Sequence, residues 1–542
     1  MTPATEPRVE VPEAETTPLI TNGYQDHQSN ILPRNKLILV FSALALVHFI
    51  SFLDQTAIST SLPSIALALN TGSSISWVGT SFLATSTSIQ LINGRLSDIF
   101  GRKTCLIVAL ALMGLGNLLS GFSQKAGQLY VTRGLSGFGA GALNALVQIT
   151  ISDTTRLDQR GYYFGILGIA VALGNGLGPV LGGLLTERAS WRWAFWFICP
   201  LTVVAAGLLA LVLPGRSTAD GIVKKLKMID WYGVLTSMVG VVLVLIPISQ
   251  GGATLSWDSP IIIGMLVSGI LFFATFVFIE WRLVQLPILP MRLFRYNRST
   301  NILLAMNILI GWVFWGNLFY LPLYFQKVRG LSPATAGSFI LPMVIAHGIT
   351  SGLSGVIMSL TGFYKPVIST GAALWAVGAI LKSTYGIATP TSLFFATGIL
   401  EGIGVGCQLQ PVLVGLLAGS DNADRAVITG LRNFIRDMGG SIGITVSGAI
   451  LNNVLHTGLK ARFSTKMIAH LTSSALRLSD LGLLDEDKKL ILALYVRGLN
   501  IIFMSFAALT SVMLLASLCL HDYGLTQGRQ PEVNIDADSH EE

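Results

Sequence analysis

A few charged side chains stand inside the long apolar runs of this chain. They are Asp54, Arg133, Glu401, Arg432, Arg436 and Asp437, with Lys382 nearer the end of a run. A charge at the centre of a bilayer costs at least about 2.5–3.5 kcal/mol. Each therefore needs a partner, a wet cavity or a proton. A carboxylate held near a cation in such a place is pulled both ways, by burial and by its neighbour, and can exchange a proton at working pH. Asp54 has the type and depth for that chemistry. Glu401 reads as a second proton site, a contact for a cationic substrate, or a protonated packing residue, with Arg432 or Arg436 as its expected partner. Arg432 and Arg436 are four residues apart and share one helix face; Asp437 lies about 100° round from Arg436. If that span begins later, all three are interfacial.

These residues must be positioned by membrane helices. Of 542 residues only 63 (12%) are charged, against about 25% in a soluble protein. The apolar share is 52% and mean hydropathy is +0.65. At about 20 residues per crossing, the chain reads as fourteen spans. The +7 charge collects between spans, so it sets topology and does not indicate a nucleic-acid partner. Lys224, Lys225, Lys227, Arg282, Arg292, Arg295 and Arg298 place both tails inside. Segment 455–497, with Lys460, Arg462, Lys488 and Lys489, breaks that bias, and its mixed pattern suggests one or two surface helices. Trp77, Trp191, Trp193, Trp231, Trp257 and Trp281 fall at span ends, as an interfacial belt does. The sequon Asn297-Arg298-Ser299 falls in an inside loop and should be unused.

An internal repeat divides the chain. Gly94 and Gly101 recur as Gly355 and Gly362, offset by 261 residues. Gly137, Gly139 and Gly141 recur as Gly402, Gly404 and Gly406, offset by 265, which sets Glu401 against Ser136. The expected organisation is a disordered cytoplasmic tail (1–36), a six-helix half (37–213), a linker with two extra spans (214–299), a second six-helix half (300–520, containing the loop 455–497), and a cytoplasmic tail (521–542).

Four motifs then follow in order. Gly94-Arg95-Leu96-Ser97-Asp98-Ile99-Phe100-Gly101-Arg102-Lys103 resembles the loop 2–3 gating signature of the major facilitator superfamily. Leu53-Asp54-Gln55-Thr56 with Leu62-Pro63 is similar to the first-span motif of its fourteen-span drug:proton antiporter branch. Arg133-Gly134-Leu135-Ser136-Gly137-Phe138-Gly139 resembles the buried-arginine motif. The run from Gly174 through Gly178, Pro179, Gly182 and Gly183 resembles the antiporter motif. The resemblance covers about residues 37–520. It implies an all-α membrane protein of major facilitator fold, with halves that rock about a midplane site. It also implies that Asp54 and Arg133 couple transport to protons; a static structural pair is the competing reading.

The expected function is proton-coupled export of small organic molecules, drugs, toxins or secondary metabolites. The expected partners are substrate, protons and lipid, the cofactor none beyond the proton gradient, and the state monomeric. Plasma membrane is the expected location. Ile151-Ser152-Asp153 with Arg160-Gly161-Tyr162, and the acidic dileucine-like Glu15 to Ile20, are similar to fungal vacuolar transporters of basic amino acids, which keeps a vacuolar alternative open. Erosion of the coupling residues would mark a non-transporting receptor; Asp54, Asp98, Arg133 and Pro179 are intact. No enzyme is expected: four scattered cysteines give no metal spacing, and neither a nucleophile–base constellation nor a phosphate-cradling loop is present. Trp312, Trp315, Tyr320 and Trp375, with Arg432 and Arg436, are candidates for a cavity wall; ordinary helix packing is the other reading of the aromatics.

Overall fold

The computed structural model describes residues 34–69, 77–214, 230–250, 257–282, 298–331, 333–420, 424–460 and 485–525, with isolated positions between them. Among these residues every element is helical. The long ones are α1 (Arg34–Ala57), α2 (Trp77–Phe100), α3 (Arg102–Gly121), α4 (Ala126–Thr154), α5 (Leu157–Arg188), α6 (Ile198–Val212), α7 (Trp231–Gln250), α8 (Pro260–Arg282), α9 (Arg298–Lys327), α10 (Leu341–Thr361), α11 (Lys365–Lys382), α12 (Thr391–Ala418), α13 (Arg425–Leu459) and α14 (Asp485–Leu518). Twelve helical segments among the described residues are long and apolar enough to cross a membrane; α2 and α11 are the two long helices outside that set. The reason is local. α2 carries Ser86, Thr87, Ser88, Gln90 and Asn93, all buried against protein, and α11 begins and ends on lysine. Both are embedded among spans, α2 against α4 and α13, α11 against α12 and α14.

The glycine repeat is a repeat of packing. Gly137 and Gly141 of α4 let that helix close on Phe82 and Ser86 of α2; Gly402 and Gly406 of α12 do the same on Met343 and His347 of α10. The partners repeat as well, at an offset of 261 residues against 265 for these glycines. Gly139 faces Met113 of α3, and Gly404 faces Trp375 of α11. Gly101 and Gly362 both adopt a positive φ (88° and 75°), which glycine accepts without a Cβ penalty.

The halves meet through α2 on α13 and α5 on α10. A Cβ on Gly94 would stand 2.9 Å from the Ala426 carbonyl, and one on Gly165 2.6 Å from that of Ser351. The halves thus approach backbone to backbone at both contacts, Gly94 near the end of α2 and Gly165 deeper, opposite the middle of α10. α7 and α8 pack on each other, and Val241 and Leu245 of α7 reach Ala84 of α2 and Phe434 and Met438 of α13. This pair thus contacts α2 and α13 through α7.

Three expectations change. Segment 455–497 continues the long helices at both ends: α13 runs to Leu459 and α14 begins at Asp485, joined by an Arg462–Asp487 ion pair of 3.3 Å. Tyr495 and Ile491 are buried there because the α14 extension packs back on the bundle. The C-terminal tail starts later than 521. Asp522 accepts hydrogen bonds from the backbone N–H of Tyr364 (3.0 Å) and Lys365 (2.8 Å), and Leu525 donates to Gly362 O (2.8 Å). Trp191 is buried against Phe195 and leaves the aromatic belt, whereas Trp193, Trp231, Trp257 and Trp281 are exposed. The N-terminal tail with Glu15 to Ile20, linker residues 215–229, Asn297, the stretch 464–484 and the tail from 526 lie outside the described residues.

Candidate functional site

Asp54 and Arg133 meet inside the first half. Arg133 Nη1 donates to Asp54 Oδ1 (3.2 Å), to Ser136 Oγ (3.2 Å) and to Asn117 Oδ1 (3.5 Å). Its guanidinium lies over the Phe82 ring at 4.3 Å. Both residues are buried, at 0% and 2% exposure. The satisfaction is incomplete: Asp54 Oδ2 and Arg133 Nε have no hydrogen-bond partner. One carboxylate oxygen is therefore left without a partner.

The glycine run of α5 seats that carboxylate. Gly174 closes on Phe52 and Leu53 of α1, and Gly178 and Gly182 close on Ala57. Hydroxyls tie the two helices: Thr56 donates to Gly174 O (3.2 Å) and Thr60 to Pro179 O (3.0 Å). Pro179 removes a backbone donor inside α5. Gly183 is looser: a Cβ there would stand 3.6 Å from the Thr60 hydroxyl.

Of the motif residues Gly94, Asp98, Gly101 and Arg102, Gly101 turns the chain between α2 and α3 and Arg102 donates back to Gly94 O (3.4 Å). Arg102 binds Asp98 (2.6 Å) and Asp153 on α4 (3.0 Å), and also reaches Ser97 Oγ. Asp153 lies outside the gating motif in sequence, yet it ties the α2–α3 turn to α4.

Glu401 does not meet Arg432 or Arg436. Its partner is Lys382, the last residue of α11, whose side chain reaches inward. Lys382 Nζ donates to Glu401 Oε1 (2.6 Å) and Oε2 (2.7 Å) and to Asn317 Oδ1 (2.5 Å); Asn317 Nδ2 donates to Glu401 Oε2 (3.3 Å). All the polar atoms of this trio are engaged. The repeat offset could have revealed it, since Lys382 and Asn117 are 265 residues apart, as are Glu401 and Ser136.

Arg432 and Arg436 lie where the halves meet. Arg432 is wholly buried and donates to Asn307 Oδ1 (3.1 Å), Asn433 Oδ1 (2.8 Å) and Leu409 O. Arg436 Nε donates to Asp437 Oδ1 (3.1 Å), so these neighbours pair despite the 100° between them. The contacts cross the interface: Gln90 of α2 donates to Asp437 Oδ2 (2.9 Å), and Asn433 donates to Gln148 of α4 (3.1 Å). α13 begins at Arg425, so the later start on which the interfacial reading of these charges depended is not seen. The aromatics all make helix-packing contacts. Trp312 and Trp315 cover Gly443 and Gly440 of α13, Tyr320 donates to Ile444 O (2.7 Å), and Trp375 is fully buried on Gly404.

The family comparison agrees with this architecture. The family model described as Major Facilitator Superfamily matches residues 44–444. Citrate exporter 1 of Yarrowia lipolytica is 37% identical over 499 residues, covering 92% of this chain and 74% of the relative. Efflux pump dotC of Dothistroma septosporum is 32% identical, covering 78% and 73%. The multidrug transporter protein MdtP of Bacillus subtilis is 32% identical, covering 77% and 76%. Among solved structures, the human organic anion transporter MFSD10 superposes with a TM-score of 0.57 at 14% identity, over 90% of this chain and all of that one, a likeness of fold alone. With motifs, repeat packing and helix order in agreement, the chain belongs to the major facilitator superfamily.

Proposed function

We propose that this transporter exports small organic molecules across the plasma membrane in exchange for protons, with Asp54 as the proton-binding group and Arg133 as its counter-charge. The observation that carries the reading is the free Oδ2 of a fully buried Asp54 beside Arg133. A proton on that oxygen weakens the pair, and the glycine-packed α1–α5 contact is the element that feels it. Relatives named as exporters and efflux pumps support the outward direction. Each charge moved through 100 mV supplies about 2.3 kcal/mol, enough for roughly a fifty-fold gradient. Glu401, expected to share the coupling, is assigned instead to holding the second half together, because Lys382 and Asn317 occupy both its oxygens. Uptake into sealed vesicles under an imposed pH gradient tests the reading. Asp54→Asn should abolish the response to the gradient; equal gradient-driven uptake by both proteins would refute it.

A further inference from the structure

We infer that the transported molecule is an organic anion whose carboxylate is received by Arg432 and Arg436 between the two halves. This rests on the export reading above and adds the substrate's chemistry to it.

The first observation is an imbalance of charge. The cluster holds two guanidinium groups and one carboxylate. Asp437 is taken by Arg436 and Gln90, while Arg432 has only neutral acceptors and, among the described residues, no carboxylate within ion-pair distance. Arginine stays protonated when buried, and a buried cation without an anion is costly. Its planar fork matches a carboxylate in geometry. Arg436 engages only Nε among the described residues, which leaves its terminal nitrogens for a ligand.

The second observation is His48 of α1. It is wholly buried, both its ring nitrogens are without a hydrogen-bond partner, and it lies within electrostatic reach of both arginines. A buried imidazole that bonds to nothing in the protein has polar capacity for something else.

Depth agrees. At 1.5 Å per residue, Arg432 and Arg436 stand about 10 and 16 Å from the start of α13, Gln90 about 15 Å from the end of α2, and Asn307 about 13 Å from the start of α9. In a core about 30 Å thick these groups share the middle depth, on helices of both halves, where rocking would expose them to each side in turn.

The probe is radiolabelled citrate, a tricarboxylate, with ethidium as a cation and a neutral drug for contrast, on the full chain in proteoliposomes with a pH gradient. Wild type should take up citrate, with competition from other carboxylates and none from ethidium. Citrate should raise the melting temperature of wild type. Arg432→Gln should lower citrate kcat/KM on the order of 100-fold, with partial recovery in Arg432→Lys. Arg436→Gln, at the less enclosed edge, serves if Arg432→Gln fails to fold, and should abolish the melting shift. If ethidium or the neutral drug moves with the gradient while citrate neither moves, competes nor shifts melting, the anion site is refuted and export stands. If citrate shifts melting in an Arg436-dependent way but no solute responds to the gradient, the anion site stands and proton coupling falls. Wild-type citrate KM in both arginine variants would overturn the site.

Discussion

The two halves place polar groups at equivalent positions and use them in opposite ways. In the first half the acid, Asp54, is on the first helix, Arg133 on the fourth, and Asn117 on the third. In the second half, Asn317 stands 263 residues after Asp54, Lys382 265 after Asn117, and Glu401 265 after Ser136. The charge has migrated: an amide replaces the acid, a lysine the amide, and an acid stands one turn from the arginine's counterpart. The degree of satisfaction differs as well. Asp54 and Arg133 each leave one polar atom unpartnered, whereas Lys382, Glu401 and Asn317 bond through every polar atom they own. Shared architecture fixes where polarity is tolerated. Saturation separates the two: the first pair keeps unpartnered polar atoms inside the protein, and the second trio has none.

That contrast can be broken at its saturated end first. Lys382→Met leaves Glu401 buried without its cation and should destabilise the protein by about 3–5 kcal/mol, measured as unfolding in detergent. Adding Glu401→Gln should recover most of it. A single variant as stable as wild type would mean that the trio does not hold the second half. Next comes the glycine seat of Asp54. Gly182→Ala drives a Cβ into the Ala57 carbonyl, and should cost about 1–3 kcal/mol and slow gradient-driven uptake more than it lowers melting. Uptake that follows melting alone would show the α1–α5 contact to be inert packing. The smallest effect is expected at the cap of α11. Asp522→Ala removes the acceptor of two backbone N–H groups and should cost about 1 kcal/mol, with uptake unchanged.

The fold is largely legible in the sequence because a span announces itself through about 20 apolar residues and because the repeated glycines mark helix contacts. Gly137 and Gly402 match by spacing alone, and their packing partners repeat too. The Asp54–Arg133 pair rests on motif resemblance, and its geometry agrees. What stays hidden is long-range pairing. Lys382 stands at the end of its helix, so its side chain's inward reach to Glu401 is not visible in a hydropathy pattern; only the offset to Asn117 points there. Arg436 and Asp437 pair although adjacent, because flexible side chains bend across the angle that separates their Cβ atoms. The docking of Asp522 on Tyr364 and Lys365 joins residues nearly 160 apart in the chain, and no local signal carries it.

The decisive measurement is pH-gradient-driven uptake in proteoliposomes by three folded proteins: wild type, Asp54→Asn, and the double variant Lys382→Met with Glu401→Gln. The expected result is loss of the gradient response in Asp54→Asn and its retention in the double variant. A retained response in Asp54→Asn together with a lost one in the double variant would contradict the assignment, and would move the proton site to the second half.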